Sequence, residues 1–591
     1  MAQGAPKPRR SNVGNAAGMS NAQLNAPASV PDGAVAVTLR QTCMQRVQAL
    51  ETVRWSWWSQ WRDLAAYINP RLGRFLESPN EGTRGRYKNA RIIDSTATTA
   101  SQRFASGLMA GVCSPARPWF TLKLGGQDFQ EGDPVTLWLS EATKRMMMIF
   151  AGSNFYRSVA TMFEEIGVFG TGVMLMYEDY DDALRCYPMA AGEYYLAVDE
   201  RLEVNTFARK VVMTAGALVG QFGIENCSAQ VQDFYRQGFL DQEVLVGHII
   251  LPNDKRVYKA PGAKGMPWLE VYWEWGEVAD KLLAERGYHE RPFCAARWNV
   301  TGNDPYGRSP GMDAIGDTKQ LQVTQKRKAQ FLDKLVNPPM TATTAMKNEP
   351  TTVIPGGVTY VPPGQNSDAA FKPAYQLNGQ GLPGIIEDIR ETQGRIKTIF
   401  FEDLFLMISQ QDGDMTATEV VARKEEKMLM LGPALERLHD ELLRVAITRL
   451  FGIMKRYGIL PPNMPVEVQT GAVDVDFVSI LAQAQRAAST ASIERIWQFV
   501  GGIAAVRPDV LDIMDADESV REYTDMVGGP PKIIVPQEQV DAVRKARSDA
   551  QAQQLAMQNS MEAANGAKTL SDTEVGGGLN ALQLMTGTQA A

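Results

Sequence analysis

NDPYGRSPGMDAIGDTKQLQVTQKRKAQFLDKLVNPP, residues 303–339, is the stretch on which the fold turns. It opens on turn residues, Asn303-Asp304-Pro305 and Gly307 to Gly311. After Gly316 there is neither Gly nor Pro until Pro338. That spacing predicts one helix of roughly 20 residues, about 30 Å long. The helix lacks the apolar stripe that would lay it on a core: Ile315, Leu321 and Val323 are isolated among Lys319, Gln320, Gln322, Thr324, Gln325, Lys326, Arg327 and Lys328. Only its end, Phe331, Leu332, Leu335 and Val336, is apolar. A helix polar on nearly all sides either lies in water or packs in a polar assembly. Two readings stay open: a solvated helix, or one packed beside copies of itself around a water-filled channel.

Outward from this stretch the chain is ordinary. Its 591 residues are enough for several domains. Charged residues are 21% and the net charge is −7, which argues against a coat for nucleic acid held by bulk positive charge. The five cysteines are scattered and odd in number, with no CxxC pair, as expected of free thiols in a reducing compartment. No apolar core follows the basic residues near the start, so no signal peptide is read. The greasiest run, Ile166 to Met176, is short and broken by Gly167, Gly170 and Gly172, so no membrane span is read either.

Residues 1–36, rich in Ala, Asn, Gly, Pro and Ser, read as a disordered arm. Leu39 to Ile68 carries Val47, Leu50, Trp57, Trp61, Leu64 and Ile68 at helical spacing, so its tryptophans read as core or interface before any base-stacking platform. Residues 71–90 form a basic, Gly-rich loop. Helices are expected over Ile92–Met109, Pro134–Phe150 and Phe155–Phe163, and a short strand at Trp119–Leu122. In residues 269–275, Leu269, Val271, Trp273 and Trp275 alternate with Glu270 and Glu274, the period of a half-buried strand. With similar runs at 173–177, 203–214, 243–251 and 293–298, residues 165–300 read as a mostly antiparallel α+β lobe. Beyond Pro339 a Pro, Gly and Thr-rich excursion, with a Gly-Gly hairpin near 353–361, leads to a second helix, Ile385–Phe400. Thr416-Ala417-Thr418-Glu419 is a capping box that starts a long helix, with a kink expected at Gly432-Pro433. Further helices are read over 478–530, with stops at Gly501-Gly502 and Pro508, and from Pro536 to about Ala564.

Motifs for catalysis are missing. No G-x-x-x-x-G-K-[ST] phosphate loop and no G-x-S-x-G elbow occurs. His248, His289 and His439 stand apart, without metal-ligand spacing to one another or to a Cys. Acidic pairs at Glu178-Asp179, Asp181-Asp182, Asp412 with Asp414, and Asp474 with Asp476 are the places from which a two-metal nuclease would draw ligands, but each falls in a predicted turn or loop. The expectation is no catalytic residue, no metal and no cofactor.

Four stretches in register carry a resemblance: YGRSP at 306–310 with the helix after it, IIDSTATTASQRFASGLMAGVCSPARPWFTL at 92–122, MTATEVVARKEEKMLMLGPALERLHDELL at 415–443, and DFVSILAQAQRA at 476–487. The chain resembles the podovirus-type portal proteins, the head-to-tail connectors of short-tailed bacteriophages. The resemblance implies an α+β, helix-rich portal fold with an α+β wing, helical stem, small β clip and helical crown. Mapped onto this chain it implies a wing over 37–309, stem helices over 310–336 and 384–401, and a clip over 337–383. It also implies a channel loop over 402–415, a long kinked wing helix over 416–469, a crown over 470–535 and a tail over 536–591.

The same resemblance implies a homo-oligomeric ring of about twelve subunits at one capsid vertex, made in the host cytoplasm and carried in the virion. Double-stranded DNA would slide through it without sequence preference. Its protein partners would be the terminase large subunit, which hydrolyses ATP, a tail adaptor, and the major capsid and scaffolding proteins. Lys319, Lys326, Arg327, Lys328 and Lys334 are then candidates for guiding DNA, each with an intersubunit ion pair as the alternative. Gln410, Gln411, Asp412, Gly413 and Asp414 are candidates for a channel loop. Two other classes remain: a tail adaptor or scaffold without a DNA path, and a packaging nuclease or ATPase.

Overall fold

The computed structural model describes residues 38–77, 91–125, 134–277, 280–348, 352, 371–375, 379–409, 431–470, 473–477, 493–504, 507, 509, 513–527, 535 and 537–572. Helix α1, Leu39–Tyr67, is capped by Thr38 in a capping box with Gln41. Its stripe of Val47, Leu50, Trp61, Leu64 and, just past its end, Ile68 is buried as the spacing predicts. Trp55 is the exception: it is 70% exposed and stacks on Trp58 at 6.2 Å. Helix α2, Thr96–Val112, runs three residues past the expected Met109. Strand β1, Phe120–Leu124, and helices α3, Pro134–Gly152, and α4, Phe155–Phe169, follow.

Strand β2, Thr171–Asp179, lies between β3, Ala183–Met189, and the later β9, Phe293–Arg297, all antiparallel. A five-stranded antiparallel sheet runs β4, Tyr194–Val198; β5, Val204–Thr214; β6, Glu243–Pro252; β7, Trp268–Glu274; and β8, Ala284–Tyr288. Two short helices, α5, Ala215–Phe222, and α6, Ala229–Arg236, cover the sheet's Val246–Tyr272 side, and were not expected from sequence. The opposite side packs on Cys43, Val47 and Leu50 of α1.

Strand β7 corrects the alternation reading. Glu270 is fully buried and Glu274 nearly so, because both faces of the sheet are covered. Glu270 escapes the penalty for a buried charge by being saturated with donors. Its Oε1 accepts from Tyr177 at 2.6 Å, from Tyr272 at 3.2 Å and from His248 at 2.9 Å, and its Oε2 accepts from Tyr288 at 2.8 Å. Arg209 Nε donates to His248 Nδ1 at 3.0 Å, which leaves the Nε2 proton for Glu270. Burial pushes His248 down to about 4, against the pull of Glu270. Burial alone would raise Glu270, but the hydrogen bonds from His248, Tyr177 and Tyr288 hold it at about 2.

Helix α7, Pro310–Val336, is the helix predicted from residues 303–339. Beyond it β10, Met340–Ala342, pairs with β11, Phe371–Pro373, antiparallel, so α7 and α8, Leu382–Ile399, run antiparallel beneath them. The Gly-Gly hairpin near 353–361 lies outside the described residues, except that 352 precedes it. Residues 402–409, expected as the start of a loop, form helix α9, Glu402–Ser409. Its Leu404 is buried, and Phe405 packs edge-on against Phe104 of α2 at 5.9 Å, so tertiary contact wins over the polar sequence that follows.

The Thr416 capping box lies outside the described residues. Residues 431–438 are helical across Gly432-Pro433, where a kink was expected. The irregularity instead falls at His439–Arg444, a π turn, which continues into α10, Val445–Tyr457. Strand β12, Val473–Phe477, opens the segment expected as crown, yet pairs with β1, Phe120 opposite Phe477. The described residues 493–504 are helical through Gly501-Gly502, where a stop was expected. Helices α11, Ala516–Val527, and α12, Gln537–Asp572, end the description, and Arg544 of α12 grips Asp517 of α11 at 2.6 and 2.8 Å. All five cysteines are buried and free. Among the described residues no helix is long and apolar enough to cross a membrane.

Candidate functional site

The site is the helix pair α7–α8 and the joint that roots it in the body of the protein. The root begins with the Tyr306-Gly307-Arg308-Ser309-Pro310 motif. Tyr306 is buried, edge-on to Trp61 at 5.1 Å, and its hydroxyl accepts from the Leu196 backbone N–H at 3.2 Å. Gly307 meets Gly170 backbone to backbone: a Cβ on either would lie 2.2 Å from the other's carbonyl oxygen. Gly170 also has φ +82°, which favours glycine for a second reason. Ser309 caps α7, accepting from Met312 N–H at 2.9 Å and donating to Val168 C=O at 2.7 Å, with Pro310 in the first turn.

The polar middle of α7 has an intramolecular explanation. Gln322 is buried, and its Oε1 accepts from the backbone N–H groups of Ile93 and Asp94 at 2.6 and 2.8 Å. Its Nε2 donates to Asp94 C=O at 2.9 Å. Asp94 Oδ2 accepts from Gln325 at 2.9 Å and from Gln393 of α8 at 2.8 Å, and Oδ1 accepts from Thr96 N–H at 2.8 Å. Partial burial works to raise the Asp94 carboxyl, but hydrogen bonds from Thr96, Gln393 and Gln325 hold it below its usual value. Asp94 therefore ties α2, α7 and α8 together at one point. Arg395 of α8 reaches Asp317 of α7 at 3.3 Å.

The five basic candidates divide. Lys319 belongs to the root: its Nζ lies 2.7 Å from Asp63 Oδ2 and 5.4 Å from the Tyr67 ring centre, both on α1. Lys326, Arg327 and Lys334 are exposed and Lys328 half-buried. Among the described residues none of these four has a carboxylate partner. Arg327 and Lys334, seven residues apart, share one side of the helix about 10 Å apart along its axis, while Lys328 stands about 100° round from Arg327. Val323, Leu332, Leu335 and Val336 are exposed on the same half, Val336 at 75%. Gln410, Gln411, Asp412, Gly413 and Asp414 lie outside the described residues.

Among the described residues, at least one member of three of the acidic pairs meets a basic neighbour, and Asp412 and Asp414 lie outside the described residues. Glu178 meets Arg449 at 3.2 Å and Arg456 at 2.8 Å; Asp182 meets Arg185 at 3.2 Å, Asp474 meets Arg444 at 2.6 Å and Asp476 meets Lys123 at 3.1 Å. Among the described residues no group of three or more His, Cys, Asp or Glu is arranged to hold a metal ion. Sequence reading missed Asp94 and Gln393 altogether and took Gln322 and Gln325 as solvent- or channel-facing. The signal was there: Asp94-Ser95-Thr96 is a turn sequence before a helix, whose carboxylate seeks nearby donors.

From a body of sheets and helices two antiparallel helices lead to a small β pair. The family of bacteriophage head to tail connecting proteins matches residues 40–535, and the chain belongs to that family. It is similar to the portal protein of Salmonella phage epsilon15, 41% identical over 543 residues, covering 91% of this chain and 97% of that protein. It is also similar to the probable portal protein of Bordetella phage BPP-1, 41% identical over 525 residues, covering 88% and 94%. The likeness to a chain from the neck of an empty gene transfer agent particle is loose: TM-score 0.33 at 11% identity, over 74% of this chain and 91% of that one. The function is that of a portal protein, and its relatives are structural connectors of head to tail.

Proposed function

We propose that copies of this chain close into a ring of about twelve at one capsid vertex, with α7 and α8 of each copy lining a bore for double-stranded DNA. The observation that carries this reading is the outer half of α7. There four cations lack carboxylate partners among the described residues, and four apolar side chains stand exposed. Apolar faces left open on one copy are suited to cover by the next copy. Cations without partners are suited to a passing polyanion.

The mechanism is permissive and involves no catalysis. Each neutralised phosphate adds affinity through counterion release, so a bore that lets DNA slide must carry few such contacts. Arg327 and Lys334, aligned along one side of α7, guide the duplex; Lys319, held by Asp63, sets the helix in place. The 410–414 segment touches DNA and hinders back-slippage. The clip, 337–383, docks the terminase large subunit, which supplies ATP hydrolysis, and then the tail adaptor; the wing meets the major capsid and scaffolding proteins. The chain is made in the host cytoplasm and ends in the virion.

Electron microscopy of the purified chain with class averaging tests this. Rings of about twelve copies around a bore wide enough for a duplex are expected. Solid discs, or filaments with no bore, would remove the DNA path and leave an adaptor.

A further inference from the structure

The loop between β6 and β7 holds a dense group of exposed cations far from α7 in sequence. Over residues 253–267, PNDKRVYKAPGAKGMP less its first residue, it carries Lys255, Arg256, Lys259 and Lys264 against the single acid Asp254, in a chain of net charge −7. All four cations are exposed, and among the described residues none has a carboxylate partner.

The loop is built, not slack. Asn253 Nδ2 donates to the carbonyls of Met266 at 3.0 Å and Ala263 at 3.3 Å, and its N–H donates to Pro267 C=O at 2.8 Å. Val257 N–H crosses to Lys264 C=O at 2.9 Å, which brings the two basic arms side by side. Arg256 Nε donates to Gly265 C=O at 2.9 Å and so holds that guanidinium on the rim. The turn is seated on β8, where a Cβ at Gly287 would come within 2.8 Å of Ala263.

Two further observations set this loop apart from an ordinary solvated face. Lys259 has φ +65°, a left-handed conformation in which Gly or Asn is easier, so a charged side chain is kept where the backbone disfavours it. Tyr258 is 74% exposed, with Arg256 and Lys259 5.5 and 5.8 Å from its ring centre, and Val257 is 58% exposed beside it.

We infer that the 253–267 loop is a second, sequence-independent site for the phosphate backbone of duplex DNA, on the sheet lobe and outside the α7–α8 pair. Four exposed basic side chains on one loop are the electrostatic footprint of phosphate-backbone contact, and a tyrosine hydroxyl among them is a further donor to phosphate oxygens. Of the loop's large apolar side chains only Val257 and Tyr258 are exposed, too little to bury the anchors of a protein partner. A regular line of phosphates needs only charge and a surface to lie on. The site works whether or not the bore does.

The test uses closed rings of the full chain and a covalently closed circular duplex, which has no end to thread through a ring, so any binding is external. Fluorescence anisotropy of the circle on the full chain is followed from 50 to 200 mM salt. The wild type is expected to bind, with log K falling linearly against log salt. Replacing Lys255, Arg256, Lys259 and Lys264 with Gln should flatten that slope by about 3.6 and weaken binding on the order of tenfold or more at the low-salt end. A triple variant that keeps Arg256 on its carbonyl should flatten it by about 2.7, which guards against a folding defect. Replacing Lys326, Arg327, Lys328 and Lys334 with Gln should leave binding of the circle intact, so failure of the bore and failure of the loop are read separately. Unchanged slope and affinity in the quadruple loop variant would overturn the inference. So would displacement of the circle by polyglutamate at equal charge, which would reassign the loop to an acidic protein partner.

Discussion

The two halves of α7 look alike on paper and differ in everything that surrounds them. Both are polar, and both carry basic residues. The first half, Pro310 to Gln322, is sunk into the body: Met312, Ala314, Thr318 and Leu321 are buried, and Gln322 and Lys319 each have named partners in the same chain. The second half, from Val323 to Val336, shows exposed apolar side chains and basic ones without carboxylate partners among the described residues, with Phe331 only half covered. Polarity therefore has two meanings in one helix. In the root it is satisfied by a neighbouring carboxylate and backbone amides; at the tip it is met by water until something else arrives.

The largest effect should come from the weld beneath the root. Gly307→Ala drives a Cβ into the Gly170 carbonyl and should destabilise the chain by about 3 kcal/mol in a denaturant titration. Gly316→Ala, on the same helix with open space around it, should instead stabilise by about 0.8 kcal/mol. If the two changes behave alike, the backbone contact is not what anchors α7.

Asp94→Asn comes next. It replaces a carboxylate that accepts from Thr96, Gln325 and Gln393 with a group that brings donors of its own, and should lose about 2 kcal/mol. The folded carboxyl sits below its usual 3.8, so its contribution is complete above about pH 4 and fades as pH falls through the folded value. Wild-type and variant stabilities should therefore converge in acid. A constant gap down to pH 2 would mean that shape, not charge, makes the joint.

At the tip, Leu335→Ser with Val336→Ser should change the unfolding free energy of the single chain by no more than about 0.5 kcal/mol, while ring formation in size-exclusion chromatography falls. Loss of stability without loss of rings would move these side chains from the interface to the core. The smallest difference is between two lysines on α7. Lys319→Gln should lose roughly 0.5 kcal/mol with its half-exposed Asp63 pair, and Lys326→Gln nothing measurable.

Periodicity made the helices and most long strands legible: α1, α7, α8, β5, β6 and β7 fall where apolar spacing or turn residues put them. The misses share a cause. Strand β7 was read as half-buried because Glu270 is charged, and sequence gives no sign that Tyr177, His248 and Tyr288 converge on it from three other strands, joined by Tyr272 of its own. The polar middle of α7 was read as facing water or copies because Gln322 and Gln325 are hydrophilic, while their partner Asp94 lies more than two hundred residues away. Helix α9 was read as loop because the polar run after it dominates, whereas Phe405 is fixed by Phe104. Local pattern reports which side chains dislike water. It does not report which polar ones have found each other.

The Asp94 knot is made of glutamine amides, backbone N–H groups and one sheltered carboxylate. Such a joint responds little to ionic strength, whereas four open cations on the tip of the same helix feel counterions in full. Salt is thus a dial that turns one end of α7 and leaves the other set. A subunit built this way can have its grip retuned by the ionic medium while its posture stays the same.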